Sequence, residues 1–330
     1  MAAIALRYDL RSPEWAATKH PELYQTCLEQ VAWAEQNNVA DIVVLSEHHG
    51  LPDGFMPSPF VVAAAICGKT DRIPISIAAV IVALHDPIRL AEQIATADLI
   101  GRGRVSFVVG IGYAEHEFEM AGVDRKKRGR LTEEYIEVMR KAWTGEPFEY
   151  AGRTVRVTPK PFSQPNPPLF LGGGSEAAAR RAARLRVGFL PSIGDPALKE
   201  IYEEECARVG YEGFCILPTG PGFVLVSEDP DKTWEEIKRY AWFDADTYRN
   251  MQTVGNRSQV TTAASNPDEL RREGIYRVVT PDECVTLVEE LGPMGTMVLH
   301  PLMCGIPVEI GWQSLELFKD NVLPTIRPGT

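Results

Sequence analysis

The run Ser46-Glu47-His48-His49-Gly50 sets a carboxylate and two imidazoles at the end of a short apolar stretch, residues 41–45 (DIVVL). Imidazole titrates nearer neutral pH than any other side chain, so the chemistry this grouping suits is proton transfer. Successive side chains on an extended chain point to opposite faces. One imidazole therefore faces a site at the strand end and the other packs behind it, and no metal site built from the two is expected. A structural pair, with Glu47 satisfying one histidine, fits the same residues.

A second grouping is Gly172-Gly173-Gly174-Ser175, which follows an apolar run and opens the helical stretch Glu176-Ala177-Ala178-Ala179-Arg180. Free backbone N–H groups and the helix dipole converge at such a start and form a cradle for a phosphate. It is not a P-loop, because no Gly-Lys-Ser/Thr follows. Gly110-Ile111-Gly112-Tyr113 permits close backbone approach to a ligand, and a tight turn explains its glycines equally well. Ala78 and Ala79, adjacent in an apolar run, leave room for a flat ring or simply pack tightly. Arg125-Lys126-Lys127-Arg128, with Arg130, reads first as a solvated loop and second as a lip attracting an anionic tail. Tyr8, Tyr113 and His300 stand at or just past apolar runs, where they line a pocket or fill core or rim.

These residues share one kind of position, the end of a β-rich apolar run. Eight such runs, at 4–6, 41–45, 75–82, 104–109, 168–171, 187–190, 223–226 and 296–299, alternate with helical patterns. The helical spacing is plain at 21–37, where Leu23, Cys27, Leu28, Val31 and Ala34 recur every few positions. Continuous apolar strands imply burial on both faces and so a parallel sheet. Eight repeats in 330 residues favour an α/β fold of the (β/α)8 TIM-barrel type, whose function sits past the C-terminal strand ends. A single domain over 1–330 is expected. Two segments, about 145–167 and 243–274, break the rhythm and read as insertions in the barrel. Within them, 143–157 resembles a hairpin flap and the polar run 249–266 a lid. The helix before the second insertion is expected to end at Trp242.

Composition narrows the setting. Lys and Arg number 34 against 45 Asp and Glu, a formal net charge of -11 that argues against a nucleic-acid partner. No apolar run approaches the roughly 20 residues a bilayer demands, and no leader pattern opens the chain. A cytoplasmic protein without a membrane partner is expected. Six cysteines lie scattered without a C-x-x-C pair and read as buried, reduced thiols.

Taken in order, Glu47-His48-His49, His85-Asp86-Pro87, Gly103-Arg104, Gly110-Ile111-Gly112-Tyr113 with Glu117-Phe118, Trp143-Thr144-Gly145 and Pro167 to Ser175 make the chain resemble the bacterial luciferase-like flavin-dependent family. The resemblance covers most of the chain and is densest from Glu47 to Pro191. It implies a (β/α)8 barrel with a flavin at the C-terminal mouth. The flavin phosphate would be held at Gly173, Gly174, Ser175 and Ala178. The ring would lie against Ala78 and Ala79, with a non-prolyl cis peptide between them and with Gly110, Gly112 and Tyr113 nearby. His48, the first histidine of Glu-His-His, matches the family's catalytic base, and Glu47 is expected to orient it.

The activity so implied is that of a monooxygenase. Reduced FMN, supplied by a separate flavin reductase, takes O2 at its C4a atom, and the resulting peroxide attacks a small organic substrate of aldehyde or ketone type. A homodimer is implied as well, with 243–274 as the cover that keeps water out. The chain departs from luciferases proper at Ile111, where they carry an arginine that helps hold the FMN phosphate. Gly110-Ile111-Gly112-Tyr113 is also similar to relatives that use coenzyme F420 and transfer hydride without O2, which makes that the alternative. A non-catalytic flavin-binding barrel is the third reading, and the Glu47-His48 pair counts against it.

Overall fold

The structure, a computed structural model, describes residues 1–252 and 258–328. Its strands are β1 (Ala3–Tyr8), β2 (Ile42–Leu45), β3 (Ile75–Val80), β4 (Val105–Val109), β5 (Phe148–Tyr150), β6 (Arg153–Val155), β7 (Leu169–Gly173), β8 (Gly188–Pro191), β9 (Phe223–Val226), β10 (Tyr276–Val279) and β11 (Thr296–Leu299). Its first six helices are α1 (His20–Gln36), α2 (Pro59–Lys69), α3 (Pro87–Gly101), α4 (Glu115–Ala121), α5 (Arg128–Trp143) and α6 (Glu176–Arg184). The rest are α7 (Pro196–Val209), α8 (Pro230–Met251), α9 (Pro267–Glu273), α10 (Pro281–Leu291), α11 (Val308–Leu317) and α12 (Leu323–Ile326).

Nine strands form one sheet in the order β10-β9-β11-β1-β2-β3-β4-β7-β8, and every pairing in it is parallel. A parallel bridge from Phe189 to Cys215 carries the pairing beyond β8. This is the expected (β/α)8 barrel with insertions. Leu6, Val43, Leu45, Ile77, Val109, Leu171 and Leu299 are buried to 1% exposure or less. Each such side chain contributes roughly 1.5–3 kcal/mol by leaving water. Asp86 caps α3 through the Ile88 and Arg89 N–H groups, and Thr280 opens α10 with a reciprocal capping box to Glu283. All six cysteines are buried and unpaired.

Gly103-Arg104 of the recurring motif serves the fold. The Arg104 guanidinium donates to the carbonyls of Cys67, Thr70, Ile73 and Gly101, tying the end of α2 to the entry of β3. Residues 148–155 form the antiparallel hairpin β5–β6 where a flap was expected.

Two expectations fail here. β10 is a ninth strand, paired in register with β9 from Tyr276 opposite Phe223 to Val279 opposite Val226. Its four residues include a half-buried Arg277, too short and too mixed for an alternation to show. α8 does not stop at Trp242 but runs nine residues further, to Met251. Its buried positions Trp234, Ile237, Tyr240, Ala241, Asp244, Ala245, Tyr248 and Met251 keep one helical spacing throughout. Asp244 disguises the stripe because a buried aspartate reads as polar. The lid expected at 249–266 begins as this helix, and its stretch 253–257 lies outside the described residues.

Arg11 fixes α8 over the barrel. Its side chain has no solvent exposure. It donates to Asp53 at 2.7 Å, Asp244 at 2.5 Å and the Thr247 hydroxyl at 2.7 Å, and it lies between the rings of Phe55 and Phe243. Removing one member of a buried ion pair strands the others without solvation. Arg11→Met is therefore expected to cost about 3–5 kcal/mol in urea denaturation. A loss below about 1 kcal/mol, the range of exposed pairs, would contradict this account.

Candidate active site

The mouth is built by period-two alternation at the strand ends. On β1, Tyr8 points to the helices, where its hydroxyl donates to Gln30 of α1 at 3.2 Å. Arg7 points to the interior, donating to the Tyr248 hydroxyl at 2.8 Å and the Ser46 hydroxyl at 3.3 Å. Just past β2 the same rule puts Ser46 and His48 inward and Glu47 and His49 outward.

His48 is 8% exposed and walled by the rings of Phe55, Tyr113 and Tyr248. Its Nδ1 lies 2.9 Å from Oε1 of Glu117, a carboxylate 2% exposed that also accepts the His49 N–H at 3.0 Å. A carboxylate at that distance accepts, so the ring proton belongs on Nδ1 and Nε2 presents its lone pair. Burial pushes the Tyr248 hydroxyl up to about 12 against the opposing pull of Arg7. That hydroxyl therefore stays protonated. Beneath lies Asp9, which accepts N–H groups from Arg11 and Cys304. Burial and the neighbouring Asp244 raise the Asp9 carboxyl to about 7, with Arg11 working against them. Between the 51–53 loop, the start of α4 and the last turns of α8 opens a cavity of about 620 Å³.

Small residues at the ends of β3 and β4 pack closely. The Ala78–Ala79 peptide is cis, as expected, and both alanines are half-buried. A Cβ on Gly110 would stand 3.0 Å from the Ala79 methyl. Gly112, at φ +76, would place one 2.8 Å from Ile81 and Phe118. Gly173 has φ +126, a conformation that side chains resist, and turns the chain from β7 into α6. Ser175 caps that helix by accepting the Ala178 N–H at 3.3 Å, so the half-buried Gly173 and Gly174 precede a start rich in free N–H groups. Across from it, α5 begins close to α6: a Cβ on Gly129 would meet the Arg181 guanidinium at 2.8 Å. Arg128 is lowered by burial and then by Arg125 and Arg181, and its Nε is buried without a partner. Arg181 belongs to the last turn of α6 and pairs with Glu133 at 2.7 Å, and Arg125 stands 3.6 Å from Glu115, so of these three arginines it is Arg128 that keeps an unpartnered donor.

Comparison with known proteins decides the family, because residues 11–296 match the sequence profile described as luciferase-like monooxygenase. The chain belongs to the luciferase-like monooxygenase family. Protein Rv0953c of Mycobacterium tuberculosis, itself uncharacterized, is 34% identical over 192 residues, which cover 54% of this chain and 66% of that one. The FMN-bound oxygenating constituent of 3,6-diketocamphane monooxygenase from Pseudomonas putida superposes with a TM-score of 0.73 at 18% identity, over 98% of both chains. An F420-dependent secondary alcohol dehydrogenase holding an F420–acetone adduct superposes with a TM-score of 0.70 at 20% identity, over 99% of this chain and all of that one. Both likenesses show the shared fold.

Within this luciferase-like mouth the sequence-predicted residues separate. His48 and Tyr113 meet ring to ring, Gly110 stands against Ala79 and Ile81 and Gly112 against Ile81 and Phe118, and Gly173, Gly174 and Ser175 lead into the helix start that holds Ala178. Glu47 does not orient His48. It faces the other way, accepting the Ile81 N–H and reaching His85, both at 2.6 Å. Glu117 takes the orienting place, and the signal available for it was its position in the Gly110 to Phe118 motif. Tyr8 lies outside the mouth, for the reason of alternation given above. His300 is inside the barrel but 1% exposed, stacked on Phe223. Burial, then Arg7 and Arg11, lower its pKa well below the usual value, so it is a neutral core ring. Arg125 and Arg128, read first as a solvated loop, are both half-buried.

The Asp9 carboxyl gives a test of the mouth's electrostatics. A group raised on folding holds its proton longer in the native state than in the unfolded one. Its contribution is complete below about pH 4 and is lost as pH rises to about 7. Urea titrations should show the stability of the wild type falling relative to Asp9→Asn across that window, with a slope of up to about 1.4 kcal/mol per pH unit. A difference independent of pH would remove Asp9 from the account.

Proposed function

We propose that the protein is a flavin-dependent monooxygenase acting on a small organic substrate with reduced FMN and O2. The observation that carries this reading is the buried His48–Glu117 pair at the C-terminal strand ends, walled by Phe55, Tyr113 and Tyr248. The residues present fit the cofactor: Ala78, Ala79 and Gly110 leave room for a planar ring, and the free N–H groups of the α6 start suit its phosphate. Bound reduced FMN supplies the electrons by which one oxygen atom of O2 enters the substrate and the other leaves as water. His48 takes or returns a proton at Nε2, with Glu117 fixing its tautomer and ring angle. Phe55, Tyr113 and Tyr248 keep water from that nitrogen. Free reduced flavin points to a separate reductase as partner, and the family resemblance to a homodimer. No helix among the described residues is long and apolar enough to cross a membrane.

A second reading has its own observation. Ile111 leaves the end of β4 without the arginine of luciferases, while Arg125 reaches the Tyr113 carbonyl at 3.5 Å and Arg128 the Arg125 carbonyl at 3.0 Å, a charge suited to the longer acidic tail of coenzyme F420. In that reading His48 moves the proton that accompanies hydride transfer, and O2 plays no part.

Fluorescence titration with FMN and with F420, each oxidised and reduced, separates the two. Tight binding of reduced FMN with oxygen uptake supports the monooxygenase, and binding of F420 alone replaces it with hydride transfer. His48→Ala is expected to cut turnover by roughly 10²–10⁴-fold with little change in flavin Kd. Glu117→Gln should lower turnover less, because the amide still holds the ring. Unchanged turnover in His48→Ala would remove the proposed base.

A further inference from the structure

The proposed chemistry leaves Glu47, His49 and His85 unused, and they form a cluster of their own on the far side of the β2 end. Glu47 Oε1 lies 2.6 Å from His85 Nε2 and 3.2 Å from His49 Nε2, and the three donor atoms all fall within 4.8 Å of one another. Two imidazoles from different strand ends thus aim the same nitrogen at one carboxylate oxygen. As a purely hydrogen-bonded group this is incomplete, because the buried His49 Nε2 makes no hydrogen bond of acceptable geometry.

We propose that Glu47, His49 and His85 bind a divalent first-row metal ion such as Zn2+. Two imidazole nitrogens and a carboxylate oxygen are a recognised ligand set for such ions. With metal–ligand distances near 2.0–2.1 Å the donors must stand about 3 Å apart. The Glu47–His49 spacing meets that, and the Glu47–His85 contact opens by about half an ångström on exchanging its proton for the ion. The second oxygen of Glu47 is anchored by the Ile81 N–H at 2.6 Å, the kind of outer bond that fixes a ligating carboxylate. Glu47 is 2% exposed, so bulk water does not compete for the oxygen that the two imidazoles face. Glu47 and His85 also line a cavity of about 740 Å³ between α2 and α3, which gives an ion its entry and water its open coordination positions. The other charges on that wall, Arg89 and Glu92, pair with each other, so the Arg89 guanidinium does not compete for Glu47. The sequence hid this site because the second histidine is His85, brought in from beyond β3, and not the adjacent His48. An ion there clamps the β2 end to the segment after the Ala78–Ala79 peptide.

The full chain, dialysed against a chelator, is titrated with Zn2+ by calorimetry and with Co2+ by visible absorption. One equivalent of Zn2+ at micromolar Kd and d–d bands from Co2+ are expected. His49→Ala and His85→Ala should each weaken Zn2+ binding by at least about tenfold, and His20→Ala should not. His85→Gln serves should the alanine variant melt early. Absence of saturable binding, or binding equal in the wild type and the His49 and His85 variants, would overturn the site.

Discussion

Everything at the mouth follows from the alternation of side chains along extended backbone. At 46–49 it sends Ser46 and His48 to the interior and Glu47 and His49 to the helices. At 7–9 it sends Arg7 and Asp9 inward and Tyr8 out. The consequence is a partition of three titratable neighbours, Glu47, His48 and His49, into two environments that share no hydrogen bond between side chains. The inner one collects Glu117 from α4 and Tyr248 from α8. The outer one collects His85 and the Ile81 N–H from beyond β3. A shift of one residue in the register of β2 against β1 and β3 would exchange the two sets. The ladder prevents it, pairing Leu45 with Tyr8 on one side and with Ile77 on the other.

The interior set carries an electrostatic cost that the rest of the barrel offsets. Arg7, Arg11, Asp9, Asp53, Asp244 and Glu117 crowd a space with little water, where charges cannot rely on solvent. Each is held by named partners: Arg11 by Asp53, Asp244 and Thr247, and Asp244 also by the Tyr276 hydroxyl at 2.7 Å. Such a network is oriented before any ligand arrives, so little reorganisation remains when charge moves during reaction. Asp9 and His300 show the other face of the same environment. Both are buried too deeply to hold charge easily, and both shift toward their neutral forms.

Much of the barrel was readable from sequence because its strands are continuous apolar runs and its helices carry caps such as Asp86 and Thr280. What escaped were elements whose polar residues are satisfied only by distant partners. Asp244 breaks the apolar stripe of α8 until Arg11 is seen beside it, more than 230 residues away in sequence. Arg277 obscures β10 in the same manner. At the site, the motifs picked the right neighbourhoods, Glu-His-His, the paired alanines and the glycine-rich helix start. They did not supply direction. Glu47 stands next to His48 in sequence and Glu117 stands 69 residues away, yet only Glu117 meets it. Chain adjacency across a strand end is evidence of separation, and that geometric fact was available from the β2 pattern alone.

The position of α8 joins the fold to its chemistry. One face of a single helix supplies Asp244 to Arg11, Thr247 to the same guanidinium and Tyr248 to Arg7. It therefore reads out the interior end of β1 while setting the Tyr248 ring against His48. A helix anchored by buried ion pairs cannot slide by fractions of a turn, since each pair loses its partner before another forms. The spacing of Asp244 and Tyr248, four residues along one face, thus sets where the Tyr248 hydroxyl stands relative to His48. Stability and site geometry are here two descriptions of the same contacts.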